Sequence, residues 1–136
     1  MQYKSESRFR NQLLAEMKEE GFEVQAIETG GTGRGVPDVF FARRTTKAGF
    51  TSIINGWIEL KNIQGELPDR IHIAFRPGQF EWIRRFIDQE VNVYLGISCE
   101  LGIFMFKNYE ISDNYSIEDF TRRKCITKMK DVASLF

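Results

Sequence analysis

Gly35-Val36-Pro37-Asp38-Val39 and Trp57-Ile58-Glu59-Leu60-Lys61 are the two short stretches on which the reading of this chain turns. In a β-strand alternate side chains share a face, so Glu59 and Lys61 project together while Ile58 and Leu60 project the other way, into a core. An acid and a lysine in a core-like strand cost free energy unless they pair, bind metal or reach water. Asp38 stands at the mouth of a neighbouring strand, close enough in sequence for a hairpin to bring it beside Glu59. Two carboxylates converging on one edge repel, and a divalent cation relieves that repulsion. The carbonyl of Leu60 would face the same cavity as a neutral oxygen ligand. Taken singly, each stretch reads more simply as a half-exposed strand pair or a turn residue after Pro37. The two together, in this order and behind a glycine-rich loop, point to chemistry.

The arrangement suits phosphodiester hydrolysis. Hard oxygen ligands select Mg²⁺ or Mn²⁺ over Zn²⁺, and the sequence has no His or Cys cluster to argue otherwise. A metal held by Asp38, Glu59 and the Leu60 carbonyl would polarise a scissile phosphate and lower the pKa of bound water. Lys61 would orient that water or stabilise developing negative charge.

Working outward, Phe9, Leu13 and Met17 recur at helical spacing between about residues 5 and 20, and Gly21 is a natural stop. Phe22 to Glu28 alternates like a strand. The loop Gly30-Gly31-Thr32-Gly33-Arg34-Gly35 lacks the Gly-Lys-Ser/Thr ending of a nucleotide loop and leads into a strand, Pro37 to Ala42. Thr45 to Gly49 reads as a turn, and Thr51 to Asn62 as a third strand, interrupted or not near Asn55-Gly56. Arg76-Pro77-Gly78 announces a helix running to about Gln89. Val91 to Cys99 and Leu101 to Tyr109 read as two further strands, and Ile117 to Cys125 as a short helix capped by Ser116. The expectation is one α/β domain over residues 1–136, a central mixed β-sheet flanked by helices in the order α-β-β-β-α-β-β. His72, in the alternating run Ile71-His72-Ile73, reads as a strand or surface residue. Trp82 reads as core, and Arg84 and Arg85 as helix surface.

The 136 residues suit one domain, and 42% hydrophobic residues with twelve Phe supply a core. No segment is apolar enough to span a bilayer, and the charged first twenty residues do not read as a secretory signal. Cys99 and Cys125 read as reduced thiols of a cytoplasmic protein, with one disulfide as the alternative. Net charge is zero, but basic residues cluster at Arg34, Arg43, Arg44 and Lys47, and again at Arg122, Arg123, Lys124, Lys128 and Lys130. Such clusters neutralise phosphates whatever the total charge.

Gly-Val-Pro-Asp, then Ile-Glu-Leu-Lys, then Gln79 and Trp82 on the next helix resemble the motif of the PD-(D/E)XK nuclease superfamily. The branch it is most similar to is VRR-NUC with its phage-borne relatives, themselves similar to Holliday-junction resolvases. The likeness runs from Gly21 to about Phe106. It implies a restriction-endonuclease-like core, with Asp38 and Glu59 as metal ligands, Lys61 catalytic and Gln79 beside the site. It further implies a divalent metal and structured DNA from recombination or repair as substrate. The family adds an acid from the first helix, for which Glu6 and then Glu16 are the candidates. Arg34, Arg43, Arg44 and Arg76 are the candidate DNA contacts. Symmetric cutting of a four-way junction needs two sites, so a homodimer is expected, with the apolar strands from Val91 to Phe106 as a candidate surface. A restriction-like or nicking nuclease, or a non-catalytic DNA-binding module, are the rival readings.

Overall fold

The structure, a computed structural model, describes residues 2–27 and 35–136. Arg34 and all of the glycine-rich loop before Gly35 therefore lie outside the described residues. Helix α1 (Glu6–Glu19) begins where the Ser5 hydroxyl accepts the Arg8 N–H at 3.1 Å. It ends in a Schellman motif at Gly21 (φ +89°), where the Phe22 N–H reaches the Met17 carbonyl and the Gly21 N–H that of Lys18. Phe9, Leu13 and Met17 are fully buried, as their four-residue spacing predicts.

Strands β1 (Glu23–Ala26), β2 (Val39–Lys47) and β3 (Phe50–Asn62) follow, then β4 (Arg70–His72), helix α2 (Gln79–Asp88), β5 (Val93–Cys99), β6 (Gly102–Lys107), β7 (Asn114–Ser116) and helix α3 (Ile117–Thr121). The central sheet has the order β1-β2-β3-β5-β6, with β3 and β5 parallel and the other neighbours antiparallel. This is the mixed, helix-flanked α/β sheet that the sequence predicts. All seven residues of β5 are buried, because a central strand covered on both faces has no solvent side. On one face Leu13, Met17, Ile58, Leu60 and Tyr94 pack with α1. On the other Trp82, Ile83, Leu95, Ile97 and Phe120 pack with α2 and α3.

The structure corrects the reading of one turn and adds detail elsewhere. Thr45 to Lys47 continue β2 and the turn shrinks to Ala48-Gly49, because β-branched Thr46 pairs with Thr51 across the hairpin. β3 runs through Asn55-Gly56 without a break; Gly56 lies so close to the Asn92 carbonyl that a Cβ there would approach it to 2.6 Å. The small β4–β7 sheet was not foreseen, its strands being three residues each and distant in sequence. Within Val91 to Phe106, the side chains of β5 and β6 fill the two cores, the Met105 carbonyl takes hydrogen bonds from Arg123, and Leu101 between the strands is 37% exposed.

The basic tail is also partly structural. Arg123 pairs with Glu110 at 2.9 Å and covers the Phe106 ring, while Phe136 packs on Phe22, Phe41 and Tyr94. Arg122, Lys124, Lys128 and Lys130 remain exposed. Cys99 and Cys125 are both free thiols. No helix among the described residues is long and apolar enough to cross a membrane.

Candidate active site

The site forms where β2 and β3 part. Their ladder begins at Val39↔Ile58, while β3 continues beside β5 as far as Asn62. Pro37 has no N–H to extend the ladder. Asp38 replaces the missing bond with its side chain: Oδ2 accepts the Leu60 N–H at 3.0 Å. A ladder residue turns its N–H and C=O to the same side, so the Leu60 carbonyl faces this fork as well. The Leu60 side chain points instead into the α1 core.

Glu59 and Lys61 lie on the opposite face, toward α2. Glu59 is 1% exposed and Asp38 5%. The Glu59 Oε2 receives Lys61 Nζ at 3.2 Å and the Gln79 amide at 2.9 Å. Gln79, itself buried, heads the stripe Gln79, Trp82, Ile83, Ile87 that α2 turns inward. Its Oε1 accepts from Lys61 Nζ at 3.3 Å and from the Arg76 N–H at 2.8 Å, so every polar atom of the amide is used in one orientation. Gly35 and Gly78 allow this closeness. Both have positive φ, and a Cβ on Gly35 would strike the Gly78 backbone at the start of α2.

Burial, reinforced by the negative charge of Asp38, raises the Glu59 carboxyl to about 8 against the pull of Lys61 and Arg76. Its Oε1 is buried without a hydrogen-bond partner among the described residues. Arg76 reaches Asp38 Oδ1 at 3.5 Å, and Lys61 stands 5.5 Å over the Phe75 ring. Glu6 keeps an exposed flank at the rim. Crowding of its carboxyl raises its pKa; Lys61 opposes this, Asp38 adds to it, and Arg76 and Arg10 oppose it. Glu6 therefore belongs to the same electrostatic cluster. Glu16 lies ten residues further along α1, about 15 Å from Glu6 by helical rise.

The structure thus gathers Asp38, Glu59, Leu60, Lys61, Gln79 and Arg76, with Glu6 at the edge. Arg43 and Arg44 lie elsewhere, along β2. Sequence reasoning gave Arg76 only as a DNA contact and overlooked its pairing with Asp38; its place three residues before Gln79 was the available signal. Phe75 beneath Lys61 was not foreseen. His72, exposed on β4, and buried Trp82 take the places read for them. A hollow of about 240 Å³ lined by His72, Phe75, Arg76, Phe80, Glu81 and Asp113 adjoins this cluster, sharing Arg76 and Phe75 with it.

The donor set fits a small hard cation. A buried, unpartnered carboxylate oxygen beside a second carboxylate is what such an ion would engage. Among the described residues no three acid, His or Cys side chains converge closely enough to hold a metal alone. Mg²⁺ is commonly held by one or two carboxylates, completed by waters and substrate phosphate oxygens. No protein-family model matches this chain, and no curated protein matches it.

Proposed function

We propose that this chain is a Mg²⁺- or Mn²⁺-dependent DNA endonuclease that hydrolyses phosphodiester bonds, with branched or recombination-type DNA as its substrate. Glu59 carries the reading: a buried acid with one oxygen unpartnered, flanked by a second acid and a lysine on a rigid strand. No packing requirement explains that expensive arrangement, whereas a cation and a phosphate would. The preference for branched DNA rests on the resemblance to VRR-NUC nucleases.

Asp38 and Glu59 would hold the metal with the Leu60 carbonyl. When bound, the ion supplies Lewis-acid activation of the phosphate and a more acidic water. Lys61, on the Glu59 face, would place the attacking water and offset the charge that grows on the phosphate oxygens. Gln79 fixes Lys61 and Glu59 relative to each other through its two amide atoms. Arg76, half-exposed at the rim, would turn from Asp38 to the substrate phosphate once a cation took its place. Paired cuts across a four-way junction need two sites, so the reading includes a homodimer.

The test incubates purified protein with Mg²⁺ or Mn²⁺ and linear, flap and four-way DNA. Cutting is expected, most rapid on branched substrates. Asp38→Ala and Lys61→Ala should each lower the rate by roughly 100-fold or more. Undiminished cutting by both variants would overturn the assignment.

A further inference from the structure

The β2–β3 hairpin outruns the sheet that carries it. β1 accompanies β2 only as far as Ala42, and β5 accompanies β3 only from Trp57. Residues 43–54 are therefore a two-stranded arm, paired with one another and with no third strand among the described residues. Its composition is one-sided. Between Val39 and Ile58 the sequence has Arg43, Arg44 and Lys47 and not a single acid. Arg43 is engaged over the Phe22 ring at 4.7 Å. Arg44 and Lys47 are exposed, with no ion-pair partner among the described residues. Phe50 and Ile53, 79% and 70% exposed, complete the outer half of the arm.

The pleat ties this arm to the site. Asp38, Phe40, Ala42 and Arg44 share one face of β2, opposite Glu59, Trp57, Asn55 and Ile53 on β3. Arg44 lies six residues from Asp38, about 20 Å along the strand. That is close to the axial rise of about six base pairs of duplex. The floor between them holds the Phe40–Trp57 ring pair, Ala42 and Asn55, and carries no charge.

We propose that the arm is a duplex-DNA grip, in which Arg44 neutralises a backbone phosphate about six base pairs from the bond that the Asp38–Glu59 site would cut. Lys47, three residues nearer the turn on the other face of the ribbon, neutralises a second one about nine base pairs from that bond. Charge selects this occupant over a second copy of the chain. Arm against arm would bring like charges together with no acid to answer them. A two-stranded ribbon is also a shape that the major groove admits, with Ile53, on the Arg44 face, available for apolar contact. The inference takes its geometry from the nuclease reading, but its test needs no cutting.

Binding is measured by fluorescence anisotropy in EDTA, on a hairpin stem of about 4 base pairs and a duplex of about 20 base pairs, the stem being too short to span site and arm. Wild-type protein should bind the longer duplex at least tenfold more tightly. The double variant Arg44→Ala/Lys47→Ala should lose that preference, and its plot of log affinity against log salt should be shallower by about 2. Both side chains are exposed, so its melting temperature should not change. Equal affinity and equal salt slope in variant and wild type would overturn the proposal. So would a wild-type dimer in light scattering that Phe50→Ser/Ile53→Ser converts to monomer without loss of DNA affinity, since a second copy would then occupy the arm. Length-dependent binding without cutting under Mg²⁺ or Mn²⁺ would leave the arm standing and remove the nuclease reading. Cutting without arm-dependent binding would do the reverse.

Discussion

The two ends of the β2–β3 hairpin invert the ordinary rule of burial in opposite senses. At the fork, Asp38 and Glu59 are 5% and 1% exposed, ionisable groups where apolar residues belong. At the arm, Phe50 and Ile53 are 79% and 70% exposed, apolar residues where charges belong. The fork is nevertheless framed: Leu60, Lys61, Arg76 and Gln79 all reach its carboxylates. Gly35 and Gly78 seat the helix against it. The arm is tied down only at its base, by Arg43 over Phe22 and Ile54 against the α1-side core, and beyond these has no frame among the described residues but its own ladder. A framed exception stores free energy that a ligand can release in place. An unframed one has nothing to release and works only by meeting a partner, so the two ends should respond differently to pH, to metal and to mutation.

The largest expected difference is in pH dependence, which belongs to the fork alone. Without metal, folded Glu59 keeps its proton up to about pH 8, whereas the unfolded chain releases it near 4.5. Between those values the folded state binds one more proton than the unfolded state, so stability falls as pH rises, by up to about 1.4 kcal/mol per pH unit. Glu6, also raised, adds in the same direction. Melting in EDTA should therefore weaken from about pH 5 to about pH 8, a total of a few kcal/mol. Glu59→Gln should flatten most of that slope, and Arg44→Ala should leave it intact. A slope unchanged in Glu59→Gln would mean that Glu59 is ionised throughout and that its burial is compensated by groups other than a proton.

A smaller effect separates the cations at the two ends. Arg76 sits on Asp38, so a divalent ion must compete with it for the same carboxylate. Arg76→Ala should tighten Mn²⁺ binding in calorimetry by roughly two- to tenfold, the range a half-exposed ion pair supports, while slowing any cleavage. Arg44 pairs with no acid among the described residues, and Arg44→Ala should leave Mn²⁺ affinity unchanged. Weaker metal binding in Arg76→Ala would make Arg76 a support of the site and not a competitor within it.

Much of the fork was legible in sequence because strand periodicity is local. Alternation alone places Glu59 with Lys61 and separates them from Ile58 and Leu60. Pro37 announces where the ladder must end. Partners that depend on tertiary approach were less legible. The pairing of Arg76 with Asp38 requires α2 to be docked. The choice of Glu6 over Glu16 depends on which end of α1 meets the sheet, and helical spacing is silent on that. The arm was obscured by a turn placed too early. Two threonines and a lysine looked like a loop because their polarity outweighed their β-branching, and without a third strand beside them no apolar alternation marked them. β4 and β7, three residues each, pair only because distant segments meet, and no local pattern encodes such a pairing.

The smallest effect tests whether the two ends are energetically separate. Ala48 (φ 52°) and Gly49 (φ 82°) form the two-residue loop between partners Lys47 and Phe50. Both residues are left-handed, the geometry of a type I′ turn. Alanine is a poor choice for its first position, since a Cβ in that region costs about 1 kcal/mol. Asparagine tolerates it, and Ala48→Asn should stabilise the turn by about 0.5 kcal/mol. A ribbon without a third strand opens locally, so the gain should appear as slower amide exchange in the arm, about twofold, more clearly than as a shift in global melting. Exchange at the Leu60 amide, held by Asp38, should not change. Slowing at both places would show that the hairpin opens as one unit from turn to fork. The arm would then transmit to the site whatever binds it, and the independence of the two ends would have to be given up.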